Sequence, residues 1–335
     1  MKVILPLVLV LILSFIGYVG GKAEASQLVF AIFIPYAALA IFILGFIYRI
    51  FLWGRSPVPF RIPTTCGQQQ SLPWIKDSKV ENPSTTLGVI TRMALEVLFF
   101  RSLFRNTRTE LVDGPYLAHK SDKWLWLAGL AFHWSFLIIF IRHFRLFLEP
   151  VPSWLKVIEA FDGFLQIGVP GLLITGFILL MAVTYLFLRR VLIPKLRFIS
   201  LPADYFPLYL IIGIALTGII MRYFLKVDVV HVKGLLLNLL SLNFSVPEGI
   251  GGIFFVHLFL VSVLLAYFPF SKLMHLGGVF LSPTRNMANT SRMERHINPW
   301  NYPVKVHTYE EYEEEFKQKM KGVGIPLDKE EQEKE

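Results

Sequence analysis

Long apolar runs separated by short polar connections dominate this chain. A helix that crosses a bilayer needs roughly 20 mostly apolar residues. Stretches that meet the criterion are Val3–Val19, Leu28–Ile50, Trp124–Phe144, Phe164–Leu188, Tyr205–Phe224 and Gly252–Phe268. No run alternates with period two over about ten residues, which argues against an outer-membrane barrel. No long internal repeat is visible, which argues against an inverted-repeat transporter. The pattern predicts an all-α fold, a polytopic membrane helix bundle with about six transmembrane helices. It divides the chain into a first pair of transmembrane helices (1–51), a cytoplasmic connection with an amphipathic interfacial helix (52–123), a four-helix transmembrane core (124–280), and a cytoplasmic C-terminal segment with a charged tail (281–335). Lys2, the first run and Ala23-Glu24-Ala25 also resemble a secretory signal with its cleavage site. The length of the run and the second span that follows at once favour an ordinary first helix.

Composition agrees. Hydrophobic residues make up 54% of the 335 positions and charged residues 17%, too little charge to cover a soluble protein of this size. The single cysteine, Cys66, excludes an internal disulfide, a Cys-ligated iron–sulfur cluster and a CxxCH covalent haem site within the chain.

The formal net charge is +9, and its distribution sets an orientation. With the N-terminus inside, the long connection from Phe51 to Lys123 and the cluster Arg189, Arg190, Lys195 and Arg197 are inside. The outer loops are Gly20–Gln27, Arg145–Gly163 and Leu225–Gly251, and they are poor in Lys and Arg. This asymmetry follows the positive-inside rule. The basic residues flank spans, so the charge reports topology and no nucleic acid is expected as a partner. On the inner side, Thr86–Arg108 mixes Arg92, Arg101, Arg105 and Arg108 with Met93, Val97, Phe100 and Phe104. It reads as an interfacial amphipathic helix or a docking face for a partner. The acidic tail from Tyr309 reads as a solvated helix followed by disorder.

The candidate chemistry lies with histidine. Ionisable side chains inside a span are costly and usually face a functional interior. His133 sits near the middle of the third span and His143 near its outer end; His257 lies early in the sixth span and His275 just past its inner end. The remaining four, His119, His231, His296 and His307, fall in loops or interfaces. The third span runs outward and the sixth inward. His143 and His257 therefore share the outer level, and His133 and His275 the inner one. Neutral imidazoles facing each other across a bundle suit the two axial positions of haem iron. Without a CxxCH motif such haems are non-covalent, hence b-type. The spacings do not match at first sight: ten residues span about 15 Å of helix and eighteen about 27 Å. Pro269, between His257 and His275, is placed to kink or end the helix and shorten that reach. A buried-histidine relay in a transporter or proton channel is the alternative. A structural anchor with packed histidines is a third.

The pattern His133-x9-His143 and His257-x17-His275 resembles the di-haem cytochrome b (gamma) subunits of respiratory nitrate reductases. Leu95–Thr107 (LEVLFFRSLFRNT), Phe268–Asn286 (FPFSKLMHLGGVFLSPTRN) and Ser291–Asn301 (SRMERHINPWN) are similar to the DsrM-type cytochrome b subunits of sulfite-reduction-associated complexes and of the Hdr-like menaquinol oxidoreductase. The resemblance covers Thr86 to Asn301. It implies two haems b as cofactors, menaquinol as substrate, a cytoplasmic iron–sulfur partner resembling heterodisulfide reductase, and further membrane and periplasmic redox subunits, in the cell membrane with both termini cytoplasmic. The nitrate reductase family places a glycine before the outer histidine of its first ligand helix and a lysine shortly after it. Here Arg142 precedes His143, and the nearest later lysine, Lys156, is offset, so that family's quinol residues do not carry over.

Haem propionates call for basic groups at each level. Arg142, Arg145 and Arg222 lie near the outer level, Arg285 and Lys272 near the inner one; each also reads as a snorkelling interfacial residue. Gly168, Gly171, Gly176, Gly213 and Gly218 either admit a flat porphyrin or serve close helix packing. Quinol-site candidates are His231, Asp228 and Glu248 in the last outer loop, with Arg142 and Lys156. A pyridine haemochrome assay on the purified chain is expected to give about two non-covalent haems b per polypeptide, one per bis-His pair. A colourless, well-folded chain supports the relay.

Overall fold

A computed structural model describes residues 1–56, 67–165, 167–294 and 306–328. Cys66, His296 and most of Ser291–Asn301 lie outside the described residues, as does the end of the tail where disorder is expected.

Six helices are long and apolar enough to cross a membrane. They are α1 (Ile4–Lys22), α2 (Glu24–Gly54), α4 (Lys123–His143), α6 (Ile174–Leu192), α7 (Pro202–Ile219) and α9 (Gly252–Tyr267). Between them lie α3 (Thr86–Phe99), the strands β1 (Thr107–Val112) and β2 (Tyr116–Ser121), α5 (Ser153–Asp162) and α8 (Val229–Leu240). After the last span come α10 (His275–Leu281) and α11 (Tyr309–Gly322). The chain is a multi-pass membrane protein, and six crossings return it to the side from which it started. Ile4, Leu44, Phe51, Met181 and Leu192 are among the many large apolar residues left exposed on the spans. Such a surface is stable against lipid and not against water.

Apolar burial gives little drive for helices to associate in a bilayer, so close packing at small residues does that work. A Cβ on Gly17 would come within 3.1 Å of Phe259 Cβ, and one on Gly45 within 2.7 Å of Pro269 Cβ, so α1 and α2 seat directly against the α9 region. Gly213 faces Leu260 and Val10, which settles it as a packing glycine. α9 lies between α1, α2 and α7, while α4 packs on α6 and not side by side with α9. One buried cluster joins Val10, Val183, Leu210, Ile211, Val256, Leu260 and Leu264 through the middle of the bundle. A second packs α8 (Val232, Leu235, Leu236, Leu239) on Ala31, Ile32, Phe254 and Phe255 at the end away from the termini.

The structure departs most from the sequence reading in three places. The fourth span begins at Ile174, not Phe164. Pro170 lacks an amide N–H and disfavours helix at the residue before it, and Gly168 takes φ +79°, so the described residues ahead of Ile174, Phe164, Leu165 and Ile167–Leu173, form a loop. The helix expected over Thr86–Arg108 ends at Phe99, where Phe100 adopts the left-handed conformation (φ +50°), and a single turn, Arg101–Phe104, follows. An unexpected hairpin comes next, with Thr107 opposite Ser121 and Val112 opposite Tyr116. Its turn rests on Asp113 (φ +47°) and Gly114 (φ +95°), a turn chemistry visible in the sequence as Asp-Gly between two short runs.

The described part of the connection is tied to the segment beyond α10. Asn289 donates to Asn82 Oδ1 (2.6 Å), its amide donates to Pro83 O (2.7 Å), and Gln69 donates to Ser291 (2.9 Å). Glu81 binds Arg101 at 2.9 Å and also Arg105. α3 turns Arg92 and Glu96 inward and leaves Leu87, Ile90 and Phe99 exposed, an arrangement suited to a helix lying on lipid. A groove of about 500 Å³ runs between its Val89, Met93 and Val97 and the residues Phe280 and Asn286. The tail helix α11 is present as expected, opened by a capping box between Thr308 and Glu311.

Gly21 makes one of the two tightest helix contacts, where an added Cβ would lie 2.2 Å from Phe255 Cβ. Gly21→Leu is expected to cost about 1–3 kcal/mol through overpacking, read as a lower Tm in detergent by differential scanning fluorimetry.

Candidate functional site: two histidine pairs between α4 and α9–α10

The structure brings the four span histidines together as two pairs. At the end away from the termini, the His143 and His257 rings lie 6.4 Å apart, centroid to centroid, with planes within 8° of parallel. Toward the terminal end, His133 and His275 lie 5.8 Å apart with planes crossed at 82°. The unequal spacings are reconciled by a break. α9 stops at Tyr267, a 3₁₀ turn covers Phe268–Phe270, Ser271 is extended (ψ 176°), and a second turn, Lys272–Met274, delivers His275. Pro269 removes one helical amide, and Ser271 caps the next turn by accepting from Leu273 N.

Every ring is fixed through the same atom. Nδ1 of His133 meets Gly129 O at 2.7 Å, and Nδ1 of His143 meets Ile139 O at 2.7 Å. Nδ1 of His275 meets Lys272 O at 2.9 Å. Each carbonyl accepts only, so Nδ1 is the protonated nitrogen. Nδ1 of His257 meets Thr217 Oγ1 at 2.9 Å, and that hydroxyl already donates to Gly213 O, so it accepts from the imidazole. All four Nε2 atoms are therefore lone-pair acceptors, and no hydrogen bond reaches any of them among the described residues. An acceptor left open within an apolar span is unfavourable until something binds it. A metal-ligating histidine is held in this same way, its other nitrogen donating to a carbonyl or hydroxyl. Two metal–nitrogen bonds of about 2 Å each, with the ring radii, span about 6 Å, which matches both separations. The residues fit a bis-imidazole metal group at each level.

The surroundings differ. Phe100 and Phe132 present edge contacts to His133 at 4.9 and 5.0 Å. The left-handed Phe100, a conformation that costs about 1–2 kcal/mol, aims its ring there. α3 is fastened alongside by Trp126, donating to Phe99 O (2.7 Å), and by Trp134, donating to Leu98 O (3.0 Å). At the other level a Cβ on Gly218 would lie 3.5 Å from His257 Cε1, while Gly171 and Gly176 face open space.

The basic candidates are mostly committed to carboxylates. Arg142, itself only partly exposed, pairs with buried Asp162, whose oxygens also accept from Thr175 N (2.8 Å) and Thr175 Oγ1 (2.6 Å). Arg145 binds both oxygens of Glu159 at 2.9 Å. Lys272 binds Asp204 at 2.6 Å. Arg222 donates to Gly171 O at 3.2 Å, Arg285 is half-buried, and Lys156 and Glu248 are exposed. In the last loop His231 Nδ1 lies 2.8 Å from Asp228 Oδ2. The amide of Val230 first, then that of His231 and the imidazole itself, hold the Asp228 carboxyl below the usual carboxylate range. Asp228 thus stays anionic beside the imidazole. Asp162, Thr175 and Thr217 are absent from the sequence reading. A lone acid at the end of a short amphipathic helix and single threonines near or within apolar spans are the only traces they leave.

Residues 117–293 match the nitrate reductase gamma subunit family. The chain is also similar to proteins named Hdr-like menaquinol oxidoreductase cytochrome b-like subunit. The one from Archaeoglobus fulgidus is 46% identical over 280 residues, covering 82% of this chain and 83% of the relative. The one from Archaeoglobus profundus is 41% identical over 286 residues, covering 83% and 84%.

Removing Asp162 strands a largely desolvated guanidinium. Asp162→Ala is expected to destabilise the chain by about 3–5 kcal/mol, and Asp162→Asn, which keeps an acceptor for Thr175, by less. Thermal unfolding in detergent measures both.

Proposed function

Because this chain belongs to the nitrate reductase gamma family, alongside the Hdr-like menaquinol oxidoreductase cytochrome b-like subunits, we propose that it is the membrane cytochrome b subunit of a menaquinol-oxidising complex. The single observation that carries this reading is the set of four histidines in two facing pairs, each with Nδ1 tied and Nε2 open. His143 and His257 would hold one haem b, His133 and His275 the other. Bound there, the haems supply reversible one-electron chemistry at iron.

The chain's own residues do the rest. The Nδ1 hydrogen bonds fix the tautomer of the imidazoles and aim them. The ten-residue offset on α4 separates the two levels by about 15 Å along the bundle normal. Oxidation of one menaquinol yields menaquinone, two protons and two electrons. Its site would lie by the His143/His257 level, at the end away from the termini, where His231 takes a proton and Asp228 stabilises the imidazolium. Arg142, Arg145 and Arg222 flank that level and Arg285 the other as candidate basic groups for haem propionates, Arg142 and Arg145 being already paired with Asp162 and Glu159.

With the termini and the basic connection facing the cytoplasm of a cell membrane, electrons would leave at the His133/His275 level. The acceptor is a cytoplasmic iron–sulfur subunit resembling heterodisulfide reductase, with further membrane and periplasmic redox subunits, in sulfur- or sulfite-linked energy metabolism. In this reading the chain is the electron-transfer subunit of an oxidoreductase and does not perform the final reduction.

Single alanine substitutions test the ligand assignment. His143→Ala and His257→Ala are expected to remove one haem and leave the other; His133→Ala and His275→Ala do the converse. Reduced-minus-oxidised spectra with haem quantitation read the result. Retention of both haems in any of the four sinks the assignment.

A further inference from the structure

Three guanidinium groups gather at the His143/His257 level, and their partners differ. Arg142 is neutralised by buried Asp162, and Arg145 by Glu159. Arg222 has no carboxylate partner among the described residues. One nitrogen donates to Gly171 O (3.2 Å), the group lies 5.7 Å from the Tyr223 ring, and Nε is buried with no hydrogen-bond partner. Arg142 lies close enough to repel it. A half-buried cation beside another cation is unfavourable without an anion to offset it.

The backbone shows where that anion would sit. Arg222 lies in a π-helical turn, Ile220–Phe224, that ends the fifth span. Gly218, four residues earlier and so on the same face, looks onto His257 at 3.5 Å. Arg222 thus stands one turn beyond the imidazole pair, on the same side. The Gly171 it touches faces open space. Tyr223 accepts from Leu173 N (2.8 Å), which fixes the loop across from it. π turns of this kind recur at functional sites.

We propose that Arg222 is the anion clamp of this level, its free Nε–H gripping a propionate carboxylate of the haem held by His143 and His257, while Arg142 is closed off by Asp162. The proposal rests on the haem reading above. The Nε edge of a guanidinium binds a carboxylate side-on through two parallel N–H bonds. A lipid phosphate offers similar oxygens, and the two sources differ in what they do to the haem.

The experiment is a redox titration of purified native, Arg222→Gln and Arg222→Lys chains, followed at the haem absorption bands. The two haems are told apart by the His143→Ala and His133→Ala spectra. Loss of a positive charge beside a haem favours its oxidised form. Arg222→Gln is therefore expected to lower the midpoint potential of the His143/His257 haem and leave the other unchanged, with Arg222→Lys restoring most of the shift. An unchanged potential in Arg222→Gln with both haems retained overturns the clamp and points to a lipid phosphate or to packing. Loss of the His143/His257 haem alone in Arg222→Gln also supports the clamp; if Arg222→Gln loses both haems, Arg222→Lys decides: recovery of both haems, with a small lowering of potential confined to the His143/His257 haem, supports the clamp, and loss of both again overturns it. Absence of haem from the native chain would instead defeat the haem reading itself.

Discussion

The structure depends on a hydrogen bond made four times: an imidazole Nδ1–H donating to a main-chain carbonyl or to Thr217, inside or at the edge of an apolar span. It fixes the tautomer, the ring orientation and the direction of the remaining lone pair. Three of the four bonds are local, to a carbonyl three or four residues earlier. Helix geometry therefore supplies them without help from tertiary contacts. The fourth, at His257, needs a hydroxyl from another helix, and the close approach of Gly218 on α7 lets that helix come near enough to provide it.

Two departures from regular helix position the rings. On α9 the chain stops at Tyr267, turns through Ser271 and restarts at His275, which shortens an eighteen-residue separation until it meets the ten-residue one on α4. Beside α4, Phe100 takes a left-handed conformation and ends α3 against His133. Each costs local helix energy, and each is held by neighbours: Trp126 and Trp134 clamp the end of α3, and Pro269 packs on Gly45. Local strain that persists only because its surroundings over-determine it is typical of functional sites.

The same logic governs charge at the opposite end. A membrane bundle tolerates few unpaired ions, and here Asp162 neutralises Arg142 while Glu159 neutralises Arg145. With those cations committed, the remaining guanidinium, Arg222, stands out by having no carboxylate partner among the described residues and not by its position in the sequence.

Much of this was legible in one dimension. A span is set by a run of apolar residues, so the six crossings could be read directly. Antiparallel crossings then force His143 to the depth of His257 and His133 to that of His275, because depth along a helix follows from residue count. Misreadings occurred where local backbone chemistry competes with hydrophobicity. The loop before Ile174 is as apolar as a helix but is broken by Pro170 and its glycines, and the hairpin at Asp113-Gly114 lies in a segment too short and polar to attract notice. Sequence alone could not decide which cations are free. That depends on which acid each arginine meets across fourteen or more residues of chain, and only folding brings Asp162 and Thr175 to Arg142, Thr217 to His257, and, among the described residues, nothing acidic to Arg222.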